Sequence, residues 1–174
     1  MIGKNSAEWR SLPAASRETI QTHQSSAPVP VGAIAKDFGL VVKVATMPAD
    51  ISGEIKPDAT AEGGFKITVN RHEPKIRQRF TIAHEIGHYL LHRDLIKGGL
   101  TDTVLYRSKL SNSREAEANR IAADILMPWT LIMLWKEQYH ARSFEGLVEE
   151  FAAKLEVSEI AMCIRFGLPI EGRK

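Results

Sequence analysis

Apolar residues recur every three or four positions through most of this chain, and alternate every second position only in a short stretch near its middle. The longest helical pattern runs from Glu73 to Leu91, where Ile76, Phe80, Ala83, Ile86, Gly87, Leu90 and Leu91 fall at i, i+3, i+4 spacing behind Pro74, a residue suited to a first helical turn. A second helix is predicted over Asn112–Met127, opened by Asn112 and Ser113 as possible caps and stopped by Pro128. Upstream, Val31–Phe38 reads as a helix ended by Gly39, and Ala15–His23 as a short one. Three strands are expected at Leu40–Thr46, Ile51–Ile55 and Phe65–Val69, the last with clean alternation and hence one buried face. Helices at Trp129–Tyr139, Phe144–Lys154 and Ser158–Phe166 complete the chain. The pattern predicts an α+β fold: a small antiparallel three-stranded sheet delivering the chain into the central helix, followed by a mainly helical C-terminal part.

The central helix carries chemistry. His84-Glu85-Ile86-Gly87-His88 places two imidazoles four residues apart, stacked on one helical face about 6 Å from each other. Both can reach one Zn²⁺ at about 2.0–2.1 Å, and the intervening Glu85 is placed to take a proton from an attacking water. His92 cannot be the third ligand: it lies eight residues beyond His84, about 12 Å along the helix. The metzincin spacing is also absent, because its glycine and third histidine would fall at Leu91 and Asp94.

The Asn112–Met127 helix supplies a better donor. With about 100° per residue, Ala118, Ile121, Ala122, Ile125 and Leu126 define a buried arc, and Glu115 lies about 50° from its centre against about 110° for Glu117. A carboxylate turned toward a core needs a partner, and a metal ion provides one. Glu115 is therefore read as the third ligand with Glu117 in reserve, and Asn119 as a residue able to hydrogen-bond a ligating side chain. Gly87 costs about 1 kcal/mol against alanine in a helix interior, which points either to close approach of another backbone or to ordinary packing. Arg71, Lys75, Arg77 and Arg79 oppose the macrodipole of the helix they open. Arg77 shares the face of His84 and can touch substrate; a solvated basic face or internal carboxylate partners are the other readings. No oxyanion donor stands out among Tyr89, Tyr106 and His140.

Together, RFTIAHEIGHYLLH and EAEANRIAADILMP resemble the ImmA/IrrE family of metallopeptidases, whose pattern is RFTLAHELGH followed by E-x-E-A-N-x-F-A-x-x-L-L-M-P. The match extends from about Val31 to Pro128, with Ile121 where the family prefers Phe and Asp124-Ile125 where Glu or Ala followed by Leu is usual. The resemblance implies a cytoplasmic, gluzincin-like zinc endopeptidase with His84, His88 and the second-motif glutamate as ligands and Glu85 as catalytic base. It also implies a protein substrate, a helix-turn-helix repressor of the XRE type whose cleavage derepresses stress-response or mobile-element genes. Three segments are then expected: a weakly patterned 1–30, a zincin-like core over 31–128 and a helical subdomain over 129–174. The alternative is a non-catalytic regulator that binds such a repressor and keeps zinc for its fold; an intact Glu85 argues against it, since structural zinc needs no general base.

Composition excludes other classes. Net charge is +2, and residues 144–166 carry five acids against two bases, so their helix-turn-helix-like pattern would repel phosphate and direct nucleic-acid binding is not expected. One cysteine, Cys163, rules out an internal disulfide framework and fits a reducing compartment. The first residues lack the apolar core of a signal peptide, and the longest apolar run, Ile125–Trp135, falls short of a membrane span. A cytoplasmic location is the expectation. Substrate is expected to add as a strand beside an exposed sheet edge, with Phe65–Val69 the first candidate.

Overall fold

A computed structural model describes residues 3–97, 109–139 and 142–170. Three short helices, α1 (Ala7–Ser11), α2 (Ala14–Gln21) and α3 (Val31–Asp37), precede strands β1 (Val41–Ala45), β2 (Gly53–Pro57) and β3 (Phe65–Asn70). The long helices α4 (Lys75–Lys97) and α5 (Lys109–Leu126) follow, then α6 (Trp129–Gln138), α7 (Val148–Leu155) and α8 (Glu159–Phe166). The α+β class and the expected helices are present, with α1 in addition. Five residues are too short for a periodicity to show, but Ser6 caps α1 by accepting from the Trp9 N–H at 3.0 Å.

The sheet differs from expectation in one pairing. Its order is β1-β3-β2, with β2–β3 antiparallel but β1–β3 parallel, so the sheet is mixed. Phe65, Ile67 and Val69 of β3 are all buried, and this most apolar strand takes the centre with a partner on either side. The link from β1 must then cross to the far edge of β3 before β2 begins. Asn70 secures that crossing: its buried amide Nδ2 donates to the carbonyls of Met47, Pro48 and Ile51 at 3.3, 3.1 and 2.9 Å. The Phe65–Val69 edge proposed from sequence is therefore internal; among the described residues the outer strands are β1 and β2.

Helix α4 packs against the sheet and α3 on one side and α5 on the other. Ala83, Ile86 and Tyr89 face the β3 side chains, while Ile121, Ala122 and Ile125 of α5 extend the same core into α6–α8. The N-terminal segment joins this core through Trp9, Leu12, Ile20 and Val29. It is also tied by a buried polar node on α5. Asp124 Oδ1 meets Arg165 Nη1 of α8 at 2.7 Å and its Oδ2 accepts from the Ser6 N–H at 3.0 Å, while Gln24 Nε2 donates to the Asp124 and Ile125 carbonyls. Burial lowers the pKa of Arg165 while Asp124 raises it, and Trp129 covers the guanidinium 4.8 Å away. Among the described residues, no helix is long and apolar enough to cross a membrane.

Candidate metal centre

Helix periodicity brings His84 and His88 onto one face of α4, and the crossing with α5 brings Glu115 against them. His84 Nε2 stands 3.1 Å from Glu115 Oε2, His88 Nε2 3.2 Å from Glu115 Oε1, and the two Nε2 atoms 3.0 Å from each other. Ligands at about 2.0–2.1 Å around a tetrahedral ion stand roughly 3.3–3.4 Å apart, so this N, N, O set fits a single small cation with little adjustment. Among the described residues it forms a cluster able to hold a metal. The imidazole and carboxylate donors suit zinc and its first-row neighbours.

The crossing is close because α4 has no side chain where it meets α5. A Cβ built on Gly87 would lie 3.0 Å from the Ala118 carbonyl oxygen and 3.1 Å from its Cα. Backbone cannot yield as a flexible side chain can, so the glycine answers to close approach. Gly87→Ala is expected to push the helices apart and weaken zinc affinity about tenfold or more, even though alanine favours the helix itself by roughly 1 kcal/mol. Chelator competition checks this; native affinity in the variant would show that the spacing has slack.

The other ring nitrogens are engaged as well. His84 Nδ1 lies 2.9 Å from Asn119 Oδ1, the contact expected of Asn119. His88 Nδ1 lies 3.0 Å from His92 Nδ1, and His92 Nε2 lies 3.0 Å from Glu117 Oε2. Glu117 thus faces His92, not the converging Nε2 atoms. The imidazoles of His84 and then His88 set against it hold the Glu115 carboxyl far below its usual range, so it is anionic at neutral pH. Burial works against charge on His84, but Glu115, Glu85 and Asn119 outweigh it and raise its pKa.

A cavity of about 980 Å³ opens over these residues. His84, Glu85 and His88 line it beside Gly53, Glu54 and Ile55 of β2, and α8 lines it with Ile160 and Ile164. Glu85 is only 8% exposed. Gly53 lets β2 lie tight on α4, since a Cβ there would come within 2.4 Å of Thr81 Cγ2 and 2.8 Å of the Thr68 carbonyl. Arg77 is exposed and lines this cavity, whereas Arg79 is turned inward, its Nη2 donating to the Val29 and Leu155 carbonyls with Glu156 3.4 Å from its Nε. Tyr89 packs edge-on against Phe65 in the core; Tyr106 and His140 lie outside the described residues.

A helix bearing His-Glu-x-x-His, covered by a small sheet and faced by a glutamate from the next helix, defines a metallopeptidase-like protein. The family follows from comparison with known sequences. A family model described as the IrrE N-terminal-like domain, of a peptidase family, matches residues 35–166, and the chain belongs to that family. The resemblance read from the two motifs is thereby shown, and a metal-dependent, peptidase-like protein is the coarse description. A search of curated proteins found no match. Among solved structures, a Mycobacterium tuberculosis transcriptional regulator superposes with a TM-score of 0.58 at 17% identity, over 91% of this chain and 48% of that one. This chain therefore spans about half the length of that regulator, and the likeness is one of fold.

Proposed function

We propose that the protein is a zinc-dependent endopeptidase whose substrate is a DNA-binding repressor of the helix-turn-helix, XRE type, and that cleavage relieves repression of stress-response or mobile-element genes. The observation carrying the reading is the convergence of His84, His88 and Glu115 beside Glu85 at the base of an open cleft. The substrate class rests on family membership. The two imidazoles and the Glu115 carboxylate would hold the ion. When bound, zinc supplies a Lewis acid that polarises the scissile carbonyl and lowers the pKa of water toward about 7. Glu85 accepts the proton of the attacking water and returns it to the leaving amine. Its burial keeps this carboxylate out of bulk solvent.

The cleft positions an extended chain. β2 pairs only with β3 among the described residues, and its residues Gly53, Glu54, Ile55 and Lys56 line the cavity together with His84 and His88. A substrate segment adding there gains main-chain hydrogen bonds, while Ile160 and Ile164 of α8 offer apolar contact from the opposite wall. Proline at whichever of Glu54 and Ile55 turns its N–H away from β3 removes a donor to substrate and leaves the sheet paired. KM is expected to rise about tenfold with kcat little changed. Unchanged kcat/KM in that folded variant would remove β2 from substrate binding.

The test of the function itself is incubation of the zinc-loaded protein with purified XRE-type repressors encoded beside it, read by intact mass. One or two discrete fragments, lost on chelation and regained on adding zinc, are expected. Intact repressors with a fully loaded protein would contradict the substrate class.

A further inference from the structure

Resting on the reading of His84, His88 and Glu115 as metal ligands, we propose that His92 and Glu117 are positioning residues that fix the tautomer and ring orientation of His88. An ionised carboxylate can only accept, so Glu117 Oε2, 3.0 Å from His92 Nε2, requires the hydrogen to sit on that nitrogen. Neutral His92 then has its lone pair on Nδ1. That atom lies 3.0 Å from His88 Nδ1, which must be the donor. The remaining lone pair of His88 therefore falls on Nε2, the atom that faces Glu115 at 3.2 Å. The direction of the whole chain, Glu117 to His92 to His88, is set by one carboxylate.

The supporting geometry is built. Ser113 Oγ, one turn before Glu117 on α5, donates to Glu117 Oε1 at 3.1 Å and holds the carboxylate in place. His92 is 9% exposed, His88 7%, so water competes poorly for the hydrogen bond between them. His92 is also the residue at which α4 leaves helical geometry, with φ −127° and ψ 18°. On the opposite side Asn119 does the same for His84 by a single contact. The two imidazoles are thus oriented from α5, the helix that also carries Glu115.

Zinc affinity, measured by chelator competition, tests this in His92→Leu, His92→Gln and Glu117→Ala, with His84→Ala and Glu115→Ala as ligand controls. Melting of the metal-free forms reports folding independently. His92→Leu and Glu117→Ala are each expected to lose about ten- to a hundredfold in affinity. His92→Gln is expected to keep it to within a few-fold, because its carbonyl can accept from His88 while its amide donates to Glu117. Cobalt in place of zinc gives a second readout: its visible bands shift in His92→Leu and return in His92→Gln, which mere filling of space by residue 92 would not produce. Native affinity in both His92→Leu and Glu117→Ala would overturn the proposal and leave the ligand set standing. Loss in Glu117→Ala as deep as in Glu115→Ala, with His92→Leu unaffected, would make Glu117 a ligand and also overturn it. If His84→Ala and Glu115→Ala hold zinc as tightly as the native chain, the underlying reading of the site fails with it.

Discussion

Glu85→Gln is expected to bind zinc as tightly as the native protein and to lose roughly 10²–10⁴-fold in kcat/KM for repressor cleavage, the range typical of removing a general acid–base group. At about 1.36 kcal/mol per decade this is roughly 3–5 kcal/mol of transition-state stabilisation. Glutamine keeps the volume of a side chain that is 8% exposed, so the wall of the cleft is preserved. It cannot take the proton of the attacking water. Because the proposed ligands are His84, His88 and Glu115, the exchange is expected to leave metal uptake intact. The variant also separates the two functional classes. If repressed genes are still switched on in cells carrying Glu85→Gln at native levels, binding suffices and the protein acts as a zinc-holding regulator. If they stay off while the variant folds and loads, hydrolysis is the activity.

Asp124→Ala is the change expected to cost most in stability. Asp124 is 1% exposed, and Arg165 beside it has a side chain only 8% exposed, so removing the carboxylate leaves a guanidinium buried without its counter-charge. Breaking such a pair from one side costs about 3–5 kcal/mol. For a domain of this size that is a fall in Tm of roughly 10 °C, out of a total stability of about 5–15 kcal/mol. The Ser6 N–H loses its acceptor as well, so protease cleavage in the first thirty residues should accelerate alongside. The double variant Asp124→Leu with Arg165→Met removes both charges and is expected to recover most of the loss. A single variant as stable as the native protein would mean that Arg165 finds water, and that the node is less dry than its burial indicates.

How much of this was legible in the sequence depends on the range of the interaction. Helix α4, helix α5 and strand β3 were read from period and punctuation within windows of about twenty residues, where the physics is local. The facing of Glu115 toward His84 and His88 followed from an angle on a helical wheel. Asn119 followed from its place one turn on. The β1–β3 pairing was not legible: consecutive strands read most simply as a meander, and nothing local in β1 specifies a parallel partner. Asn70, the residue that holds the crossing link, lies just past the strand read as Phe65–Val69, and nothing local marks its three carbonyl partners. The polar node escaped for the same reason, since Ser6 and Asp124 are 118 positions apart. Asp124 looked instead like a mild departure from a family pattern.

His92 is more instructive. Distance along the helix excludes it as a ligand, and the structure keeps it out of the cluster. The same i, i+4 rule that pairs His84 with His88 also pairs His88 with His92, and that second application was the available signal. Glu117 pairs with His92, which gives an acid at that position a partner.

Metal content per chain, for the native protein beside Glu115→Ala and Glu117→Ala, tests the central claim most directly. About one zinc per native chain is expected, lost in Glu115→Ala and retained at saturating zinc in Glu117→Ala with weakened affinity. A native chain that takes up no zinc at neutral pH, or a Glu115→Ala variant that holds one as firmly as the native protein, would contradict the account.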